Sequence, residues 1–230
     1  MITKIEREDL ELFSFIFGAV IGSFLNVLIL RLPLNKSVIV PRSSCPSCNH
    51  IIAWYYNIPL LSFLFLRAKC AYCKTRISSQ YFIVELISAV LTLALFKKLG
   101  LSEEFLYMSL LVYVSITLSF IDFKYKAVPD YLLLIILSVS FFATSFPLFE
   151  AFKNAFLFSG AFVLLNFIIT FYIQNIKAKI LKDEDLKTQE ALGEGDIPII
   201  ATIAVVLGIK GGLAAIFFAA IFGHKFTFVM

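Results

Sequence analysis

Residues 12–30 read LFSFIFGAVIGSFLNVLIL, nineteen positions without a charged side chain. At helical rise such a run spans about 28 Å, close to the roughly 30 Å hydrocarbon thickness of a bilayer. A cleavable signal sequence would carry a basic leader ahead of the run and a small-residue cleavage site behind it. Here Glu6, Glu8, Asp9 and Glu11 precede the run and Arg31-Leu32-Pro33 follows it. The segment therefore reads as a retained transmembrane helix, with Gly18 and Gly22 at the four-residue step that suits close helix packing.

The rest of the chain has the same character. Of 230 residues, 60% are hydrophobic and only 16% charged, with a mean hydropathy of +0.91. A soluble domain averages about 45–50% apolar and about 25% charged. Those values exclude a soluble enzyme, a disulfide-built secreted scaffold and a disordered chain. Further apolar runs are Tyr81–Phe96, Phe105–Ile121, Tyr131–Phe149 and Ala155–Ile173. A broken stretch follows, Ile197–Ile209 and Leu213–Phe222, divided by Lys210-Gly211-Gly212. That stretch is either two short spans or one re-entrant hairpin. The expectation is an all-α integral membrane protein, a polytopic helical bundle of about seven transmembrane segments. No internal repeat is visible.

Basic residues set the orientation. From Arg31 to Ser79 there are seven (Arg31, Lys36, Arg42, Arg67, Lys69, Lys74, Arg76) and no Asp or Glu. This loop is expected in the cytoplasm, with the N-terminal tail outside. Alternation then puts Asp122–Asp130 and Gln174–Asp196 inside, the latter with its mixed-charge stretch Lys177–Glu194 solvated. Lys97-Lys98 on the outer side is an exception. The net charge of +4 is thus a topology signal, and no nucleic-acid partner is expected. The expected organisation is residues 1–30 as tail and first helix, 31–79 as a cytoplasmic loop domain, and 80–230 as a membrane-embedded domain.

Cys45-x-x-Cys48 and Cys70-x-x-Cys73 lie within that loop. Each pair can hold two thiolates on one tight turn, and four thiolates complete a tetrahedral zinc shell. The neighbours Arg42, Lys69 and Lys74 suit thiolate charge. Two disulfides or four free thiols are the alternatives, and a reducing cytoplasm opposes disulfides. Zinc held by four sulfurs has no open position, so it would be structural. Trp54-Tyr55-Tyr56-Asn57-Ile58-Pro59-Leu60-Leu61, between the pairs, either presses the loop onto the bilayer surface or builds a small soluble core around the metal.

Loop charges place two aspartates at cytoplasmic helix ends. Asp122 follows the third apolar run and Asp196 precedes the Ile197 run. Two carboxylates held together tend to share one proton, giving the base and acid that aspartic proteases use to activate water. Each also has a plainer reading. Asp196, after Gly193-Glu194-Gly195 and before Ile197-Pro198, could be a helix cap, as Asp130 is after Pro129. An ionisable pair could equally serve a proton or cation path in a transporter. Glu85, inside the second run, suggests a polar contact within the bundle. His50 and His224 lack partners at ligand spacing, and no nucleotide-binding motif is present.

Laid out in this order, the segments resemble the type IV prepilin peptidases, membrane aspartic proteases of the GxGD class. Gly22-Ser23-Phe24-Leu25-Asn26-Val27 with Arg31-Leu32-Pro33 is similar to the family's first-helix signature. The four Cys and Asn57-Ile58-Pro59-Leu60-Leu61-Ser62 match its zinc loop, Asp122 with Pro129-Asp130 its first aspartate motif, and Gly193-Glu194-Gly195-Asp196 the GxGD. The five features run from residue 22 to residue 196.

The resemblance implies that Asp122 and Asp196 are the catalytic pair, and that Gly193 and Gly195 let the backbone approach a substrate strand. Asp130 takes no catalytic role. It implies a bacterial inner-membrane enzyme, its active site facing the cytoplasm, that removes the leader of prepilins or pseudopilins. Members with the zinc loop also methylate the new N-terminus from S-adenosylmethionine, so the bifunctional form is expected; no residue is assigned to the methyl donor. Two features depart from the family: Ile197-Pro198 stands where a hydrophobic residue and Lys are common, and the sequence stops at Met230 where a further helix would complete eight crossings.

Overall fold

The computed structural model describes residues 4–181, 184–188, 193 and 195–227, with side chains described from residue 7 to residue 219 among these. It divides into two compact units, Met1–Pro129 and Asp130–Met230. In the first, α1 (Lys4–Arg31) lies against α3 (Ser79–Leu99) and both contact α4 (Glu103–Tyr125). Residues 32–78, which include the one-turn helix α2 (Leu61–Phe65), connect α1 to α3.

The α1–α3 seam follows from the small-residue step in α1. A methyl group at Gly18 would lie 2.6 Å from Thr92 Oγ1 and 2.8 Å from the Ala89 Cα. At Gly22 it would lie 2.7 Å from the Glu85 Cα. Glycine is therefore what lets the two backbones meet, opposite Ser88 and Ala89, and the order of these contacts makes the helices antiparallel. Polar groups bind along the seam, where each bond replaces an unsatisfied group in a dry interior. The Asn26 amide, 1% exposed, donates to Gly22 O at 3.3 Å and to Tyr81 O at 3.2 Å. The Thr92 and Tyr113 hydroxyls pair at 2.7 Å and tie α3 to α4. At the other end Lys97 bridges to Glu11 at 3.0 Å, which accounts for a lysine on the side that loop charges mark as outer.

The second unit contains α5 (Asp130–Ala143) and α6 (Leu148–Phe171), which runs on through a wider turn into α7 (Ala178–Leu181), and then α8 (Asp196–Thr227). The span expected over Tyr131–Phe149 is not one helix. The helix ends at Ala143, and Pro147, which fixes its own φ and lacks an N–H, caps the start of α6. The apolar run thus joins the end of one helix to the start of the next.

α8 is not one rod. Gly208 has φ +66° and ψ −174°, a region open essentially to glycine alone. In a straight helix Ile200 and Ile216 would be about 24 Å apart, yet Ile216 packs against the cluster that Ile200 forms with Phe158 and Ala204. A methyl at Gly212 would come 3.7 Å from the Ala204 Cα and 2.9 Å from Phe158. Residues 196–207 and 209–227 therefore form an antiparallel hairpin that folds back at Gly208. The Thr144 hydroxyl donates to Val205 O at 2.7 Å and satisfies a carbonyl freed at the break. A fold-back suits either expected form, two short spans or one re-entrant hairpin, but the break is at Gly208 and not at Lys210-Gly211-Gly212. Only Gly208 takes the positive φ; the two following glycines are helical.

Among the described residues four segments are long and apolar enough to cross a membrane: Arg7–Leu34, Glu103–Tyr125, Leu148–Ile180 and Asp196–Ala219. Asp130–Ala143 is apolar but shorter. The protein is an all-helical membrane bundle, as the composition requires. These four segments and the shorter α5 do not confirm the seven crossings expected.

Candidate functional site

The two Cys-x-x-Cys turns are equivalent at an offset of 25 residues, an internal repeat that the sequence did not disclose. Cys45 N bonds to His50 O and Cys70 N to Thr75 O; Asn49 N bonds to Cys45 O and Lys74 N to Cys70 O. Ile52 N meets Ser43 O as Ile77 N meets Ala68 O. Asn49 and Lys74 both have positive φ, at 56° and 61°. His50 of the first turn packs at a tilt of 40° against Tyr72 of the second, ring centroids 3.7 Å apart, so the two knuckles close on each other.

This brings all four predicted ligands together. Their sulfurs lie within 4.8 Å of one another, Cys45 and Cys70 buried, Cys48 and Cys73 exposed. Cys45 Sγ is 3.7 Å from Cys73 Sγ. A disulfide needs about 2.05 Å, whereas sulfurs about 2.3 Å from a tetrahedral zinc are about 3.8 Å apart. The spacing fits a metal shell. The electrostatics agree. Backbone N–H groups of Cys48 and Ser47 lower the Cys45 thiol, and the Thr75 hydroxyl and N–H bring Cys73 down to about 6. The His50 N–H pulls Cys48 down as well, but desolvation and the Cys73 and Cys45 sulfurs outweigh it and push it up to about 11. Sulfurs this close resist sharing several negative charges, and a bound dication removes that conflict. Lys74, expected to face the thiolates, instead donates to Ala71 O at 2.9 Å and braces its own turn.

Glu85 anchors the segment between the turns. Its carboxylate, on a residue 8% exposed, accepts from Leu60 N at 2.8 Å. Leu60 has φ +60°, a conformation a leucine avoids, and the charged acceptor holds it there. Phe63 stacks on Phe82 at 5.2 Å, so α2 is fixed beside the first turn of α3. The polar contact expected of Glu85 is thus to the loop. Leu60 lies in the Asn57–Ser62 segment, but nothing in the sequence marks its positive φ.

The two aspartates belong to different units. Asp122 is exposed in the last turn of α4, next to fully buried Ile121. A helix C-terminus favours cations, so helix formation does not account for a carboxylate there. Asp196 is exposed on the first turn of α8, and its N–H donates to Gly193 O at 3.1 Å. Among the described residues, a methyl at Gly193 would meet Asp196 Oδ2 at 3.8 Å and one at Gly195 would meet Leu133 at 3.6 Å, both ordinary contact distances. Glu194 lies outside the described residues, as do parts of the Lys177–Glu194 loop and the side chain of His224. Pro198 is accommodated in the first turn of α8, where no intrahelical donor is lost.

The chain matches the model of the bacterial Peptidase A24 N-terminal domain over residues 16–99 and that of the type IV leader peptidase family over residues 109–228. A prepilin leader peptidase/N-methyltransferase of Myxococcus xanthus is 37% identical over 218 residues, covering 92% of this chain and 60% of the relative. Proteins of the same name from Bacillus subtilis and Pseudomonas aeruginosa are 34% and 30% identical. They cover 91% and 86% of this chain, and the matches extend over 78% and 72% of those relatives. No solved structure matches. None of these matches supports an ion path.

Proposed function

The chain belongs to the type IV leader peptidase family, and from that membership we infer that it cleaves the N-terminal leader of prepilin-like substrates and N-methylates the new terminus. The observation that carries the reading is the family match over residues 109–228, which spans both Asp122 and Asp196, the latter exposed on the first turn of α8. The N-terminal end of a helix favours negative charge, which makes Asp196 the base. It takes a proton from water as the water oxygen attacks the scissile carbonyl carbon. Asp122, carrying the other proton, gives it to the carbonyl oxygen. The C–N bond then breaks and a proton passes to the leaving amine. Gly193 and Gly195 admit the substrate strand.

Cys45, Cys48, Cys70 and Cys73 hold a structural zinc, which with Glu85 keeps the 32–78 loop folded. S-adenosylmethionine, when bound, supplies an electrophilic methyl group on its sulfonium. The protein is a multi-pass protein of the bacterial inner membrane, and the seven basic residues of the 31–79 loop put that loop and both aspartates on the cytoplasmic side. Its substrates are prepilins or pseudopilins.

Intact-mass spectrometry of a prepilin incubated with the nanodisc-embedded, zinc-loaded protein and S-adenosylmethionine tests the reading. Loss of the leader with one added methyl is expected. An uncut substrate, after a second prepilin has also been tried, overturns it.

A further inference from the structure

A groove of about 310 Å³ opens where α1 meets the zinc loop, within the about 300–1,000 Å³ typical of small-molecule sites. Val27, Val38 and Ile52 supply its aliphatic lining, Trp54 an aromatic wall, and Arg42, Ser43 and Asn57 its polar groups. The wall formed by residues 37–41 is held in place. Arg31 donates to Ser37 O at 2.8 Å and to Pro41 O at 2.7 Å, and the Ser37 hydroxyl accepts from Ile39 N and Val40 N. Arg31 is therefore spent on the wall. Arg42 makes no ion pair among the described residues. Trp54 is 74% exposed, held edge-on by Tyr55, with its indole open to a ligand.

These groups select a ligand by chemistry. An exposed indole stacks a flat heterocycle, or a cationic centre over its face. An unpaired guanidinium takes a carboxylate through two parallel bonds. Asn57 and Ser43 offer donors and acceptors to hydroxyls. S-adenosylmethionine carries all of these: adenine, sulfonium, ribose hydroxyls and a carboxylate. We propose that this groove is the methyl-donor site, with Trp54 against the adenine, Arg42 on the methionine carboxylate, and Asn57 and Ser43 toward the ribose. The proposal rests on the methyl-transfer reading above. It also gives the zinc a purpose, since Ser43 bonds Ile52 across the base of the first knuckle.

Trp54 is the chain's single tryptophan, so its emission reports on this groove alone. The experiment titrates the full zinc-loaded protein in nanodiscs with S-adenosylhomocysteine, the unreactive product, and follows both fluorescence and equilibrium dialysis of the radiolabelled compound. Saturable quenching is expected, with the same Kd from both readouts. Arg42→Gln is expected to weaken Kd about tenfold or more, the loss of a charge-assisted pair, and zinc content checks that the variant is folded. Asn57→Ala is expected to weaken it less. Binding by dialysis with unchanged emission, or Arg42→Gln and Asn57→Ala binding like the wild type, overturns the groove while methyl transfer stands. Emission that responds to phosphatidylglycerol in the disc and not to the nucleoside makes the groove a lipid site and overturns it too. A protein that neither binds the compound nor methylates loses the methyl-transfer reading, and the proposal with it.

Discussion

Gly208→Ala separates two descriptions of the last helical element by the sign of its effect. In a continuous helix an alanine would be more stable than glycine by about 0.8–1.0 kcal/mol. At φ +66° and ψ −174° the same change forces an L-residue into a conformation that costs about 1–3 kcal/mol. The new methyl would also lie 2.8 Å from Phe146 Cζ and 3.2 Å from Cε2. Overpacking adds about 1–3 kcal/mol when nothing can yield, but this ring is 41% exposed and can swing away, so the lower end applies. The expected loss is about 2–4 kcal/mol. Unfolding in mixed detergent micelles, followed by circular dichroism, reads it. Phe146→Ala placed on top of Gly208→Ala should recover the steric part and leave the backbone part. A Gly208→Ala protein as stable as the wild type or more so would refute the hairpin.

Cys45→Ser should leave a protein with no stoichiometric zinc by elemental analysis and a loop open to protease, because structural zinc supplies folding free energy; full metal content would remove the four-cysteine assignment. Glu85→Gln should speed hydrogen exchange at the Leu60 amide about tenfold or more, as the charged acceptor is lost; unchanged protection would mean that Glu85 does not hold the loop. Gly22→Ala should lower stability by about 1–3 kcal/mol, since its methyl would meet the Glu85 backbone and the helices must part; an unchanged unfolding midpoint would refute the close α1–α3 seam.

Most of the helices and the four-cysteine cluster were legible because their signals are local. Nineteen uncharged residues dictate a helix in lipid, and a Cys-x-x-Cys turn fixes its own ligand geometry. The repeat of the two knuckles was hidden because it is a repeat of backbone bonds, with Asn49 and His50 answered by Lys74 and Thr75. The break in α8 was misplaced for a similar reason. Lys210-Gly211-Gly212 has the composition of a turn, but Thr144 and Phe146, distant in sequence, fix the break at Gly208. Hydropathy also ran across Pro147, where one helix ends and another starts. The aspartates stood out by motif, yet spacing along the chain says nothing of how two carboxylates 74 positions apart share a proton.

The central claim is that Asp122 and Asp196 together cut the leader. Leader release from a prepilin by the wild type, Asp122→Asn and Asp196→Asn, each zinc-loaded and monodisperse in nanodiscs, tests it most directly. Cleavage by the wild type and an intact substrate with either variant is the predicted result. Cleavage at the wild-type rate by either variant would contradict it.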